Sequence, residues 1–199
     1  IGFEARDSEF VDYKSGVSAR MSITAFENLL STAERRSLLT GDQNTTVRLS
    51  DFMGVIPAIT GKVELVYEGE QEGAEAVAQI LIDNAIKTLF TSYFPKVEKL
   101  EKKEVAGPFQ QITDWFLEDD GFIEITDESS DESYAKALNR VSALDKIIEK
   151  YQPDTRKEDL LFMKEFILWG LVEYRKLSKD RFAKGNQFRD IYGSYISKL

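Results

Sequence analysis

The chain of 199 residues contains no cysteine and no histidine. The first absence excludes disulfide frameworks, thiolate metal sites and cysteine nucleophiles. The second removes histidine general bases, the serine–histidine–aspartate system and the one side chain that ordinarily titrates near neutrality. Chemistry on this chain is left to carboxylates, Lys, Arg and Tyr, or to groups that a partner supplies. Proline (4) and glycine (12) are too few for a loop-rich all-β chain, and the abundance of Leu, Ile, Ala, Glu and Lys favours helices. No apolar run approaches the roughly 18 residues that a membrane-spanning helix requires. The opening residues, Ile1-Gly2-Phe3-Glu4-Ala5-Arg6, carry neither an initiator Met nor a signal-peptide pattern, so the chain is expected to be a piece of a longer protein. A cysteine-free chain is compatible with a cytoplasmic location.

What is present is enough for a packed core. Hydrophobic residues make up 42% and charged residues 31%, which argues against disorder as the main state. The net charge of -9 disfavours non-specific binding of nucleic acid or anionic membranes by the chain as a whole.

Residues 22–39 read as an amphipathic helix with Ile23, Phe26, Leu29, Leu30 and Ala33 on its inner face and Glu27, Glu34, Arg35 and Arg36 off it. Ser22 or Thr24 is a candidate cap, and Gly41 with the polar residues after it ends the helix. A second helix is expected from Ser50-Asp51, with Pro57 kinking it or restarting it one turn later. Residues 63–67 read as a short extended stretch, and the acidic, glycine-bounded residues 68–73 as a boundary. A long helix is expected over residues 74–94, with a solvated connection after Pro95. Further helices are expected over residues 109–118, near 132–150 and over 156–178. The fold class expected is therefore all-α.

Two charge blocks stand out. Residues 105–135 hold nine acidic side chains and no Lys or Arg, whereas the last 25 residues hold seven basic and two acidic ones. Glu118-Asp119-Asp120-Gly121 places a glycine as a calcium loop does, but Phe116 would then stand at the first ligand position and Asp127 at the twelfth, so no metal site is assigned. The basic tail is read as neutralising the acidic stretch within the same fold. No catalytic residue is assigned.

The segment that points to chemistry is Lys14-Ser15-Gly16-Val17-Ser18-Ala19-Arg20, directly before the first clear helix. Glycine and serine permit a tight turn, and an Arg at the helix start offers a planar, permanently charged donor set suited to phosphate. With the helix behind it, the polar turn, Val47-Arg48-Leu49-Ser50-Asp51-Phe52 and the run to Pro57-Ala58-Ile59, this segment resembles the lid of MoxR-like and magnesium-chelatase subunit I AAA+ ATPases. Ala33-Glu34-Arg35-Arg36 and Pro57-Ala58-Ile59-Thr60-Gly61-Lys62-Val63-Glu64-Leu65-Val66-Tyr67-Glu68-Gly69-Glu70-Gln71-Glu72-Gly73 are similar to a bacterial subgroup of that family. The resemblance implies that residues 1–66 are the lid, followed by a helical C-terminal extension over residues 67–199. It implies that Arg20 is the sensor 2 arginine that contacts the ATP γ-phosphate. Ala19 stands where the family often has Pro.

The resemblance also implies a nucleotide module upstream, bearing the P-loop and Walker B motif, with ATP and Mg²⁺ as cofactors of the full-length protein. No Gly-x-x-x-x-Gly-Lys-Ser/Thr run occurs in this chain, so it is not expected to hydrolyse ATP alone. A homo-oligomeric ring, commonly hexameric, is implied, with a von Willebrand A-type or chelatase subunit as partner. Arg35, Arg36 and Lys62 are candidate subunit-interface residues, the simpler reading being solvated surface charge. The alternative function is a helical protein–protein interaction domain with no nucleotide role.

Overall fold

The computed structural model describes residues 1–97, 107–118, 121–182 and 184–191. The connection expected after Pro95 falls largely, and the pair Asp119-Asp120 wholly, outside the described residues. The chain begins with a short helix, α1 (Gly2–Asp7), and a turn leading into α2 (Ala19–Thr40). Ser18 caps α2, its hydroxyl oxygen accepting the Arg20 N–H at 3.2 Å. Gly41, left-handed at φ 77°, closes the helix by donating its N–H to the Ser37 carbonyl. A 3-10 helix (Leu49–Val55) follows, its start tied by the Arg48 N–H donating to Asp51 Oδ2 at 2.8 Å. Pro57 falls in the first turn of α3 (Ile56–Thr60), where its missing N–H costs nothing.

Residues 63–67 hold one isolated bridge, Val11 with Leu65, before α4 (Tyr67–Glu72) occupies the acidic segment. The long helix α5 (Ala74–Tyr93) starts at Gly73, whose φ of 93° breaks the path from α4. Its buried side is Val77, Ala78, Leu81, Ile82, Ala85, Ile86 and Phe90. Then come α6 (Gln110–Leu117), α7 (Asp131–Asn139), α8 (Ala143–Tyr151) and α9 (Leu160–Glu173). The single helix expected near 132–150 is thus two, broken around the buried Val141.

The all-α expectation is overturned by a three-stranded antiparallel sheet, ordered β1 (Ile123–Thr126), β3 (Gly185–Arg189), β2 (Ser178–Phe182). Ile123 faces Phe188 and Ile125 faces Asn186 across β1 and β3, all four buried, while Glu124 points to the exposed side as strand alternation requires. The helix expected over 156–178 stops at Glu173 because Arg175 turns left-handed at φ 55° and Lys176 donates its N–H back to the Leu171 carbonyl at 2.8 Å. The chain is thereby released into β2. The sheet also joins the two charge blocks: Arg181 donates to both carboxylate oxygens of Asp127, at 2.9 and 2.7 Å.

One apolar cluster runs through the described chain, from Ala5 and Met21 through α5 and α9 to Ile123 and Phe188. Its densest part is aromatic: Phe90 lies 5.2 to 5.9 Å, ring centre to ring centre, from Phe94, Phe109, Phe166 and Tyr174. No helix among the described residues is long and apolar enough to cross a membrane.

Candidate functional site

The turn before α2 is built by Asp12. Its carboxylate accepts the Lys14 N–H at 3.0 Å and the Ser15 hydroxyl at 2.7 Å, and its carbonyl accepts the Gly16 N–H. Those bonds, the Ser15 hydroxyl first, hold the Asp12 carboxyl below its usual range. Gly16 sits at φ 67°, a left-handed conformation that suits the glycine found there. The bridge between Val11 and Leu65, with Asp12 donating its N–H to the Glu64 carbonyl at 2.9 Å, lays residues 61–65 beside this turn. The same Ser15 hydroxyl lies between the Asp12 and Glu64 carboxylates, its one hydrogen shared between them. A hollow of about 240 Å³ opens against the same turn, lined by Ala5, Arg6, Val11, Asp12, Tyr13, Gly16 and Val17.

Arg20 follows on the first turn of α2. It is exposed, and no described residue pairs with its guanidinium. Arg6, by contrast, is spent on the turn, donating to the carbonyls of Gly2 and Val17. Lys62 is exposed, two residues before Glu64, and its N–H is donated to the Ile59 carbonyl at 3.0 Å. The arrangement offers an anion one exposed guanidinium, without a partner among the described residues, at a helix start.

The two other candidate residues sit at the far end of α2 and differ from each other. Arg35 is at the surface, its Nη2 3.2 Å from Glu128. Arg36 is only 1% exposed, which corrects its assignment to the outer side of the helix and leaves no free group for a neighbouring subunit. It donates to both oxygens of Asp51 at 3.1 and 2.9 Å, to the Thr46 carbonyl at 2.7 Å and to the Thr45 hydroxyl at 2.7 Å. The inward line of α2 is Met21, Ala25, Ala33 and Arg36. Ile23, Phe26 and Leu30, expected inside, are 59%, 61% and 46% exposed.

Arg36 belongs to a buried polar network that the sequence did not announce. Arg48, also 1% exposed, donates to the Ser129 carbonyl at 2.7 Å and to Asp131 Oδ1 at 2.5 Å, and its guanidinium carbon lies 4.2 Å from the centre of the Tyr134 ring. Asp131 Oδ1 also receives Arg36 at 3.4 Å and the Thr45 hydroxyl at 3.0 Å. The Tyr134 hydroxyl donates to Glu165 Oε2 at 2.7 Å, beside the Leu49 N–H at 2.9 Å. The Trp169 indole N–H reaches Glu165 Oε1 at 3.3 Å. Burial pushes the Glu165 carboxyl up, and burial followed by the Glu165 charge pushes the Tyr134 phenol well above its ordinary value. The only trace of this in the sequence is the spacing Arg48-Leu49-Ser50-Asp51, which suits a capped helix start. Tyr134 and Glu165 carry no local signal.

No family model, no curated protein and no solved structure matches this chain. The likeness to AAA+ lids rests on the motifs quoted for it.

Proposed function

We propose that this chain is the C-terminal, lid-bearing part of a AAA+ ATPase of the MoxR-like or magnesium-chelatase subunit I type. The observation that carries the reading is Arg20: an exposed arginine without a described partner, on the first turn of a Ser18-capped 22-residue helix, directly after a glycine turn at φ 67°. In this reading Arg20 contacts the γ-phosphate of ATP held by the protein's own upstream module, and loss of that phosphate lets the lid rotate. The residues here fit one phosphate contact and no more. In this reading Mg²⁺ and the remaining phosphate contacts belong to the upstream module.

The assembly would be a cytoplasmic ring, hexameric in the family, acting on a client through a von Willebrand A-type or chelatase partner subunit. The test is turnover by the full-length polypeptide. Arg20→Ala lowers kcat by about a hundredfold, the scale of removing one transition-state donor, without changing the unfolding midpoint; unchanged turnover overturns the reading.

A second reading, a helical interaction domain with no nucleotide role, is favoured by one observation: the exposed apolar line Ile23, Phe26 and Leu30 on α2. It expects a protein complex that forms without nucleotide, that Phe26→Asp abolishes and that Arg20→Ala leaves intact.

A further inference from the structure

We propose that Glu128, in the turn between β1 and α7, and Asp131, the first residue of α7, yoke that part of the molecule to α2, so that a change at Arg20 is delivered to the sheet as movement of one rigid body. The inference rests on the reading of Arg20 as a nucleotide contact and names where that contact is felt.

One continuous helix carries both ends of the connection. Arg20 lies on its first turn and Arg35 and Arg36 near its last, about 22 Å further along at the rise of an α-helix. At that far end Arg35 reaches Glu128 at 3.2 Å and Arg36 reaches Asp131 Oδ1 at 3.4 Å. Arg48, on the segment after α2, reaches the same Asp131 oxygen at 2.5 Å and the Ser129 carbonyl at 2.7 Å. The Asp131 N–H returns to Asp42 Oδ2 at 2.9 Å, and the Thr40 hydroxyl donates to that same oxygen at 2.6 Å. The α2 terminus and the β1–α7 turn are therefore bonded in both directions, by side chains and by main chain.

The connection is stiff for a definite reason. Both guanidiniums are 1% exposed, so separating the turn from α2 would strand Arg48 as a buried charge without its carboxylate. Movement of α2 takes the turn with it. Thr126, next to the turn, pairs with Gly185 of β3, which passes the displacement to the whole sheet. Small shifts carry over such a distance because packed elements move as units.

The experiment is hydrogen exchange followed by mass spectrometry on the full-length polypeptide, with ADP and with a non-hydrolysable ATP analogue. Exchange is read over residues 16–30 and 123–139. The expected result is a protection difference between nucleotides in both segments, roughly fivefold or more at 123–139, that Asp131→Ala, which removes the oxygen shared by Arg36, Thr45 and Arg48, abolishes at 123–139 and leaves in place at 16–30. A nucleotide response confined to residues 16–30 in the wild type overturns the yoke and leaves the lid reading standing. No response at 16–30 overturns the lid reading and the yoke with it. An Asp131→Ala protein that keeps the full response at 123–139 also overturns the yoke. Should that variant not fold, Arg35→Ala, which removes only the surface ion pair, is expected to weaken the response at 123–139, and an unchanged response there counts against the proposal.

Discussion

Three donors converge on Glu165, which is completely buried: the Leu49 N–H, the Tyr134 hydroxyl and the Trp169 indole N–H. Glu165→Leu would leave the Leu49 and Trp169 N–H groups without an acceptor in the interior and the Tyr134 hydroxyl with the Leu161 carbonyl at 3.3 Å, and is expected to cost about 3–5 kcal/mol in urea unfolding. Glu165→Gln can keep an oxygen for the first two donors and lose only the third, at a cost of about 1–2 kcal/mol. The two proteins also differ in pH dependence. The wild-type carboxyl, at 4.5 when unfolded, is raised by burial in the folded state. Between those values the native state holds a proton that the unfolded chain releases, so stability falls as pH rises through the window and the loss is complete above the folded value. The glutamine variant has no such titration. Its disadvantage relative to wild type should narrow as pH rises from about 4.5 towards 7. Glu173, raised mainly by its own burial, is present in both proteins and cancels in the difference. A constant difference across this range would show that Glu165 does not titrate as its surroundings imply.

Among the elements, α5 and α9 cross where neither can accept another carbon. A Cβ on Gly170 would lie 2.0 Å from Phe90 Cδ2 and 2.4 Å from Cε2, and Phe90 is itself locked among four aromatic rings. Gly170→Ala gains about 1 kcal/mol of helix propensity, yet is expected to lose a net 1–3 kcal/mol, roughly the scale of overpacking, visible as a lower thermal midpoint. Close approach also explains why the inner face of α2 was misread. A Cβ on Gly54 would fall 1.9 Å from Thr32 Oγ1, so the contact between α2 and the 3-10 helix is made by small side chains and by Arg36. Hydrophobic periodicity weights large apolar residues and therefore selected Ile23, Phe26 and Leu30. Met21→Ala should cost about 2–5 kcal/mol, whereas Phe26→Ser should change the free energy of urea unfolding by no more than about 0.5 kcal/mol; the reverse order would restore the face that periodicity favours. The helices α5 and α6 were legible because their buried residues are large and regularly spaced. In β1 the alternation Ile123-Glu124-Ile125 was present but lay inside an acidic stretch. The hairpin strands β2 and β3 are mostly polar, and the pairing of β3 with β1 joins residues more than 50 positions apart.

At the scale of the whole molecule, the question is whether residues 1–66, the part that carries the lid motifs, can stand alone. Their interior contains two arginines, Arg36 and Arg48, each 1% exposed. Arg36 keeps Asp51 as a partner within that segment. Arg48 does not fare as well, since its guanidinium contacts are the Ser129 carbonyl and hydroxyl, Asp131 and the Tyr134 ring. The Leu49 N–H at the start of the 3-10 helix is satisfied only by Glu165, and Leu49, Ala58 and Ile59 belong to one apolar cluster with α5 and α9. Without residues 67–199 the Arg48 guanidinium loses its partners and its cover together, and Leu49, Ala58 and Ile59 lose their apolar neighbours on α5 and α9, which leaves too small a core for so short a segment to be stable. Residues 1–66 expressed alone are therefore expected to show no cooperative thermal transition by circular dichroism and a collapsed amide dispersion by NMR, while the complete chain melts in one step. Cooperative folding of residues 1–66 with Arg48 in place would mean that the lid is an independent unit and that the buried network is a contact between units.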